Sequence, residues 1–315
     1  MNVSVVVPVF NSEASLCQLV DELRAALPSI SAEYEIILVN DGSLDPSWQI
    51  VQELANHDSR IRGINLERNF GQHNAILCGV RAAKHPFCVT LDDDLQHPPS
   101  EIPKLLFKLA DGFDLVYGSS SQRTQTQWRK VCSVVVKSTL YRVFGIAVYQ
   151  YQTPFRAFRT QLRDHFSEYR SSIVNIDGLL SRTTSCFTSV PVQARARLNG
   201  KSTYSFAGLV RHTNNTVIAA TSMPLNVVTR CCMISAVFMA GVLICFCCGI
   251  NAHPQMQQFL AITVSLTSIA ALLSISITSG YLSKIYAGMI NPQYLVRDDT
   301  HDESRAKKKF VEFSR

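Results

Sequence analysis

Between Arg230 and Lys284 the chain contains no Asp, Glu, Lys or Arg. In a protein with 17% charged residues, that gap excludes an ordinary solvated surface over the stretch. Cys231 to Ile250 is almost unbroken apolar sequence, and a second apolar run extends from Phe259 to about Leu282. Each run is close to the roughly 20 residues that cross a ~30 Å hydrocarbon core. The pattern predicts two transmembrane helices joined by the polar linker NAHPQMQQ, Asn251 to Gln258. No signal peptide is expected either. MNVSVVVPVF has no basic start and no small-residue cleavage site, and it reads as a first strand.

Other absences narrow the chemistry. There is no G-x-x-x-x-G-K-[ST] loop, so an ordinary P-loop ATPase is excluded. G-x-S-x-G and H-E-x-x-H are absent too. Ten cysteines are present, but five (Cys231, Cys232, Cys245, Cys247 and Cys248) fall in the first apolar run, and the rest are scattered. That spacing fits neither a disulfide framework nor a zinc site. The net charge of +6 is too mild to argue for nucleic acid, but it suits work against an anionic membrane leaflet. The linker lacks Lys and Arg, whereas Arg211 and Arg230 precede the first run. Lys284, Arg297, Arg305 and Lys307 to Lys309 follow the second. The positive-inside rule therefore puts both flanking segments in the cytoplasm.

The first 120 residues alternate apolar strands with amphipathic segments. Strands are expected at Val3 to Val7, Glu35 to Val39, Ile61 to Leu66, Phe87 to Leu91 and up to Val116. Ser12 is placed to cap a helix whose apolar positions Leu16, Leu19, Val20, Leu23 and Leu27 recur at helical spacing. Further helices are expected near Ser47 to Asn56, from Gln72 to Ala83, from about Ser100, and from Gln161 to Tyr169. A strand is expected at Ser189 to Val192. Strand–helix alternation with continuously apolar strands means a mostly parallel sheet covered on both faces. Residues 205–221 read as an interfacial amphipathic helix, and 298–315 read as disordered. The resulting domain reading is 1–204 catalytic, 205–230 interfacial helix and linker, 231–283 transmembrane hairpin and 284–315 cytosolic tail.

Ligands bind such sheets beyond the carboxyl ends of the strands. Polar motifs stand at those ends: PVFNSE after Val7, NDGS after Val39 and DDDLQ after Leu91. Alternate residues leaving a strand face the same way, so Asp92 and Asp94 converge while Asp93 turns aside. Hard carboxylate oxygens suit Mg²⁺ or Mn²⁺, and Gln96 is placed to add an amide oxygen. A cation there acts as a Lewis acid on a diphosphate leaving group, which implies a nucleotide donor. Asp41, with Pro8, Asn11 and Glu13, is the candidate for its base and ribose.

VSVVVPVFN, EIILVNDGS, RNFGQHNAI and LDDDLQHPPSEIPKLL resemble the family 2 glycosyltransferases of GT-A fold, a Rossmann-like architecture. With NGKSTYSF and KIYAGMINPQYLV, the chain looks most like the polyprenyl-phosphate glycosyltransferases over about residues 3–297. These include dolichyl-phosphate mannose synthases, bactoprenol glucosyltransferases and undecaprenyl-phosphate 4-deoxy-4-formamido-L-arabinose transferases, the last being the most similar. The resemblance implies a UDP-sugar donor, an undecaprenyl phosphate acceptor and inversion at the anomeric carbon. It implies donor positions at Pro8, Asn11, Glu13, Asp41 and Asp92, and metal positions at Asp92, Asp94 and Gln96. Arg123, Arg129 and Ser133, with Arg197 and Ser202, match its lipid-phosphate segments, and Arg123 and Arg129 join Asp92 and Asp94 as catalytic candidates. It further implies a homo-tetramer in the bacterial inner membrane, with the catalytic domain cytoplasmic, serving envelope glycan or lipid A modification.

Two departures concern the sugar pocket. Gln150 stands where the family usually has Asp ahead of its Phe-Arg pair, here Phe155-Arg156, and Thr203 separates Ser202 from Tyr204. They point to another donor sugar or to reduced activity. A non-catalytic scaffold and a processive polysaccharide synthase are the competing readings; the second would carry a Q-x-x-R-W motif, which is absent.

Overall fold

The computed structural model describes residues 1–120, 153–172, 174–195, 223–247, 254–290 and 292–301. The described residues fall into two compact units. One comprises Met1–Thr203 with Pro292–Arg315, and the other Tyr204–Asn291.

In the first unit the strands are β1 (Val3–Val9), β2 (Tyr34–Asn40), β3 (Ile61–Leu66), β4 (Phe87–Thr90), β5 (Leu115–Ser120), β6 (Arg156–Arg159), β7 (Phe187–Val192) and β8 (Val296–Asp299). The helices are α1 (Glu13–Ala26), α2 (Ser47–His57), α3 (Gln72–Ala82), α4 (Ile102–Ala110) and α5 (Ile176–Thr183). The sheet order is β7-β5-β6-β4-β1-β2-β3-β8. β1 pairs in parallel with both β2 and β4, and β2 with β3. Successive crossovers run outward from β1 in one direction and then jump to β4 on its other side. The chain thus reverses at β1, which opens a crevice at the strand ends.

All seven residues of β1 and all seven of β2 are buried, because helices cover both faces. One core layer joins Leu16, Leu19 and Leu23 of α1 to Leu105 and Leu109 of α4, and the other packs Ile76, Leu77 and Val80 of α3 beside Phe158. Close approach of α3 depends on Gly79, where a Cβ would lie 2.4 Å from Val6 Cγ1 and 3.1 Å from Val39 Cγ2. Gly79→Ala gains about 1 kcal/mol in helix propensity. Overpacking against two β-branched core residues outweighs that gain, so a net loss of about 1–2 kcal/mol is expected. A thermal melt checks it; an unchanged midpoint would mean that α3 shifts freely.

Several expectations change. Antiparallel β6 was not anticipated; it lies between β4 and β5 and makes the sheet mixed on that side. The helix expected at Gln161 to Tyr169 is a 3₁₀ segment, Thr160–Phe166. Ser12 stands at the N-cap of α1, but its hydroxyl donates to Asp93 rather than accepting from the helix. The expected disorder from residue 298 begins too early. Asp298 and Asp299 belong to β8, where Asp299 takes two hydrogen bonds from Arg62 at 3.1 and 2.7 Å. A charged segment is ordered there because the edge of β3 supplies both its backbone partners and its counter-charge.

The second unit contains α6 (Met223–Cys247) and α7 (Pro254–Ile290). They touch along one side, with the Thr267 hydroxyl 3.3 Å from the Met239 sulfur. Among the described residues one helix is long and apolar enough to cross a membrane, Ile262–Ser283. The apolar stretch of α6, Val228–Gly241, is shorter, so the expectation of two full spans is met by one helix there. Pro254 to Gln258, expected in the linker, form the first turn of α7 because nothing after Pro254 breaks the helix. The interfacial helix expected at 205–221 lies outside the described residues.

Candidate active site

The loops after β1, β2 and β4, with the loop between β3 and α3, enclose one open cavity of about 210 Å³. Pro8, Val9 and Phe10 form one wall, Asn69, Gly71 and Gln72 another, and Asp41, Asp92, Asp93 and Asp94 supply the charge.

Asp41 follows the last residue of β2 and is 2% exposed. Its two oxygens accept the backbone N–H groups of Phe70 (2.7 Å) and Gly71 (2.9 Å). Burial pushes its carboxyl above the usual range, and those two amides partly offset the shift. The β2 loop comes against the β3–α3 loop at Gly42, which has φ +66°. A Cβ there would lie 2.5 Å from both Arg68 C and Asn69 N, so no other residue allows this approach.

The three aspartates of the cluster take different partners. Asp92 accepts from the Gln72 side-chain amide at the start of α3. Asp93 lines the same cavity but accepts from Phe10 N (3.1 Å) and from the Ser12 hydroxyl. Burial raises its carboxyl above the usual range, and Asp94 adds to the shift. It ties the loop after β4 to the loop after β1. Asp94 accepts from Gln96 N (3.1 Å) and from the Gln96 side-chain nitrogen (2.8 Å). Leu95 between them adopts φ +61° and Asn11 φ +53°, two left-handed non-glycine residues beside one cavity.

The cavity thus gathers Pro8, Asp41, Asp92 and Asp94 from the candidates named above. Asn11, Glu13 and Gln96 are not among its lining residues, and the Gln96 amide turns its nitrogen to Asp94. Asn11 instead braces the loops: its side-chain oxygen accepts from Leu44 N at 2.9 Å, and its own N–H donates to Ser43 Oγ at 3.0 Å. Glu13 is exposed, with its N–H on Asp45. Arg123, Arg129, Ser133, Arg197, Ser202, Gln150 and Thr203 lie outside the described residues. The donor set suits a hard divalent cation shared with a substrate. No cluster of three His, Cys, Asp or Glu side chains forms a protein-only cage among the described residues. Two carboxylates at an open cleft are what Mg²⁺ or Mn²⁺ needs when phosphate oxygens and water complete the shell.

Sequence reading missed the support beneath the cluster. Arg156 is 1% exposed and forms an ion pair with Asp177, itself 2% exposed. Tyr117 donates to Asp177 at 3.0 Å, and Arg156 Nε donates to Thr90 Oγ1 at 2.9 Å, two residues before Asp92. Burial pulls the Arg156 guanidinium down; Asp177, Tyr117 and Asp92 more than offset that and hold it above its ordinary value. The Phe-Arg pair was visible in sequence, but its partner Asp177 stands in a helix with no local signature.

Two comparisons with solved structures place this fold. Glucosyl-3-phosphoglycerate synthase from Mycobacterium tuberculosis, in complex with Mn²⁺ and UDP-glucose, is 21% identical; the match covers 70% of this chain and 77% of that one at a TM-score of 0.52. The same enzyme in complex with UDP matches at 21% identity, 70% and 79% coverage and a TM-score of 0.53. At this identity the likeness is one of fold. The model of the family described as "Glycosyl transferase family 2" matches residues 4–168, just over half of the chain, and spans the loops after β1, β2 and β4. With its strand-end cleft, its paired carboxylates and this match, the chain belongs to glycosyl transferase family 2, a family of glycosyltransferases that use nucleotide-sugar donors.

Proposed function

We propose that this chain transfers a sugar from a UDP-sugar to a polyprenyl phosphate at the cytoplasmic face of the bacterial inner membrane. The observation that carries the reading is a donor-type cleft in the same chain as a helix with a long, uncharged and exposed apolar stretch, Ile262–Ser283. Along α7, Leu272 and Ile275 are 67% and 65% exposed, and on α6 Ile234 is 70% exposed. Apolar surface on this scale fits lipid better than water, and an acceptor buried in lipid must be met at the bilayer surface.

In this reading Asp41 and the β3–α3 loop hold the nucleoside, and Asp92 and Asp94, with Gln96 after its amide turns, hold a divalent cation. When bound, that cation supplies Lewis-acid stabilisation of the departing nucleoside diphosphate. An oxygen of the lipid phosphate attacks the anomeric carbon, the bond from that carbon to the diphosphate oxygen breaks, and configuration inverts. A phosphate is already anionic at neutral pH, so the protein's main task is to position two anions and stabilise charge. The cationic side chains for the acceptor phosphate are Arg123, Arg129 and Arg197, with Ser133 and Ser202, by resemblance. The departures at Gln150 and Thr203 bear on which sugar is taken.

The test incubates purified protein with a panel of nucleotide sugars, undecaprenyl phosphate and Mg²⁺ or Mn²⁺, and reads product masses. A glycosyl-phospholipid that disappears on chelation of the metal is the expected result. Transfer only to water-soluble acceptors, or none from any donor, would overturn the reading.

A further inference from the structure

KIYAGMINPQYLV, one of the motifs that single out this chain, takes no part in the site described above. We propose that residues 293–300 form a strap that positions the nucleotide-binding loop Glu67–Gln72 from behind, with Gln293 as its principal positioning residue. The proposal rests on the donor-site reading and adds a determinant outside the cavity.

The loop in question is the RNFGQ segment between β3 and α3. It contributes Asn69, Gly71 and Gln72 to the cavity, and the N–H groups of Phe70 and Gly71 to Asp41. Its own packing is thin: Arg68 and Asn69 are exposed, and Gly71 sits at φ +94° with nothing within 4 Å of a built Cβ. Asp41 and the close approach of Gly42 hold its middle, which leaves its two ends to be fixed from elsewhere.

The strap fixes both. On the strand side Leu295 O accepts from Glu67 N at 2.8 Å, at the first residue of the loop. β8 then continues along β3, Asp299 pairs with Arg62, and Gly63 and Thr300 exchange bonds at 2.9 and 3.0 Å. The third nitrogen of Arg62 reaches the carbonyl of Ala82, the last residue of α3. On the helix side Gln293 is 8% exposed and uses both ends of its amide. Its oxygen accepts from Arg81 of α3 at 2.7 Å, and its nitrogen donates to the carbonyls of Tyr169 and Ser171 at 2.8 and 2.9 Å. Tyr294 adds a second contact to Arg81, at 3.3 Å through its hydroxyl. α3 is thereby clamped near its C-terminus, while Gln72 at its other end reaches Asp92. A rigid helix transmits that constraint to the loop it follows.

The experiment compares Gln293→Ala and Asp299→Ala in the full-length protein with a remote core truncation, Leu109→Ala, as a stability control. Amide hydrogen exchange over residues 67–72 and UDP affinity by calorimetry are read well below the melting range. In both strap variants exchange over 67–72 should speed up by about tenfold or more, because local opening is no longer held back. The UDP Kd should rise by roughly fivefold or more as preorganisation is lost. Turnover at saturating donor should stay within about twofold of wild type, since no group acting only in the transition state has been removed. Leu109→Ala should lower the melting temperature without either local effect. Unchanged exchange over 67–72, or an unchanged UDP Kd in a strap variant when the wild type binds UDP, would overturn the proposal. Failure of the wild type itself to bind UDP would count against the donor assignment instead, and exchange alone would then decide the strap.

Discussion

Asp94→Asn is expected to lower metal-dependent sugar transfer by on the order of 10³-fold, equivalent to about 4 kcal/mol of transition-state stabilisation. Asp94 lines the cavity beside Asp92, and both of its oxygens already engage Gln96. The substitution keeps the shape and the ability to accept from Gln96 N, but removes the charge that a hard cation needs. No group of three acidic, cysteine or imidazole side chains that could hold a metal forms among the described residues, so little remains to compensate. Asp93→Asn separates the roles within the cluster. An amide oxygen at 93 still accepts from Phe10 N and Ser12, so its effect should be several-fold rather than a thousandfold. Initial rates at several Mn²⁺ concentrations check both. Near-wild-type turnover by Asp94→Asn, or equal damage from the two variants, would remove the metal assignment.

The second large effect concerns stability. Asp177→Ala is expected to cost about 3–5 kcal/mol, because it leaves the Arg156 guanidinium buried without its counter-charge. For a unit of this size that corresponds to a fall of roughly 10 °C in melting temperature. Tyr117 also loses the acceptor of its buried hydroxyl. Replacing both partners by apolar residues of similar volume, Arg156→Met with Asp177→Leu, should be much less damaging than the single change, since no charge is then stranded. A melting curve for each variant tests the argument. A single variant as stable as the wild type would mean that water reaches Arg156, and a double variant worse than the single would mean that the pair contributes more than it costs to desolvate. Because Arg156 Nε holds Thr90 two residues before Asp92, activity should fall alongside stability in the single variant.

Much of the frame was legible in the residues. Mostly apolar strands bounded by turn residues gave β1 to β4 close to their observed limits, because a strand buried on both faces is largely apolar; the buried Ser4 and Glu35 fit there by bonding each other. Leu16, Leu19, Val20 and Leu23 all face the core at the spacing that marked α1. The strand-end rule brought Pro8, Asp41, Asp92 and Asp94 into one cavity, since parallel strands end on the same edge whatever their order. Asn11 was less legible. Its motif was visible, yet its side chain serves Leu44 and the loops rather than the cavity, a choice set by a left-handed backbone that no local pattern announces.

What the sequence by itself determined was therefore periodic or local: the parallel strands β1 to β4, their polar ends, and a stretch without charge. What only the tertiary structure decided depends on pairing between distant residues. β6 is four residues long and β8 carries Arg297, Asp298 and Asp299, so neither has a hydrophobic pattern of its own; β6 forms because β4 and β5 offer backbone partners on both of its sides, and β8 because the edge of β3 does. Arg156 with Asp177, and Arg62 with Asp299, are separated by 21 and 237 positions, and a charge acquires a buried role only once folding places its counter-charge beside it.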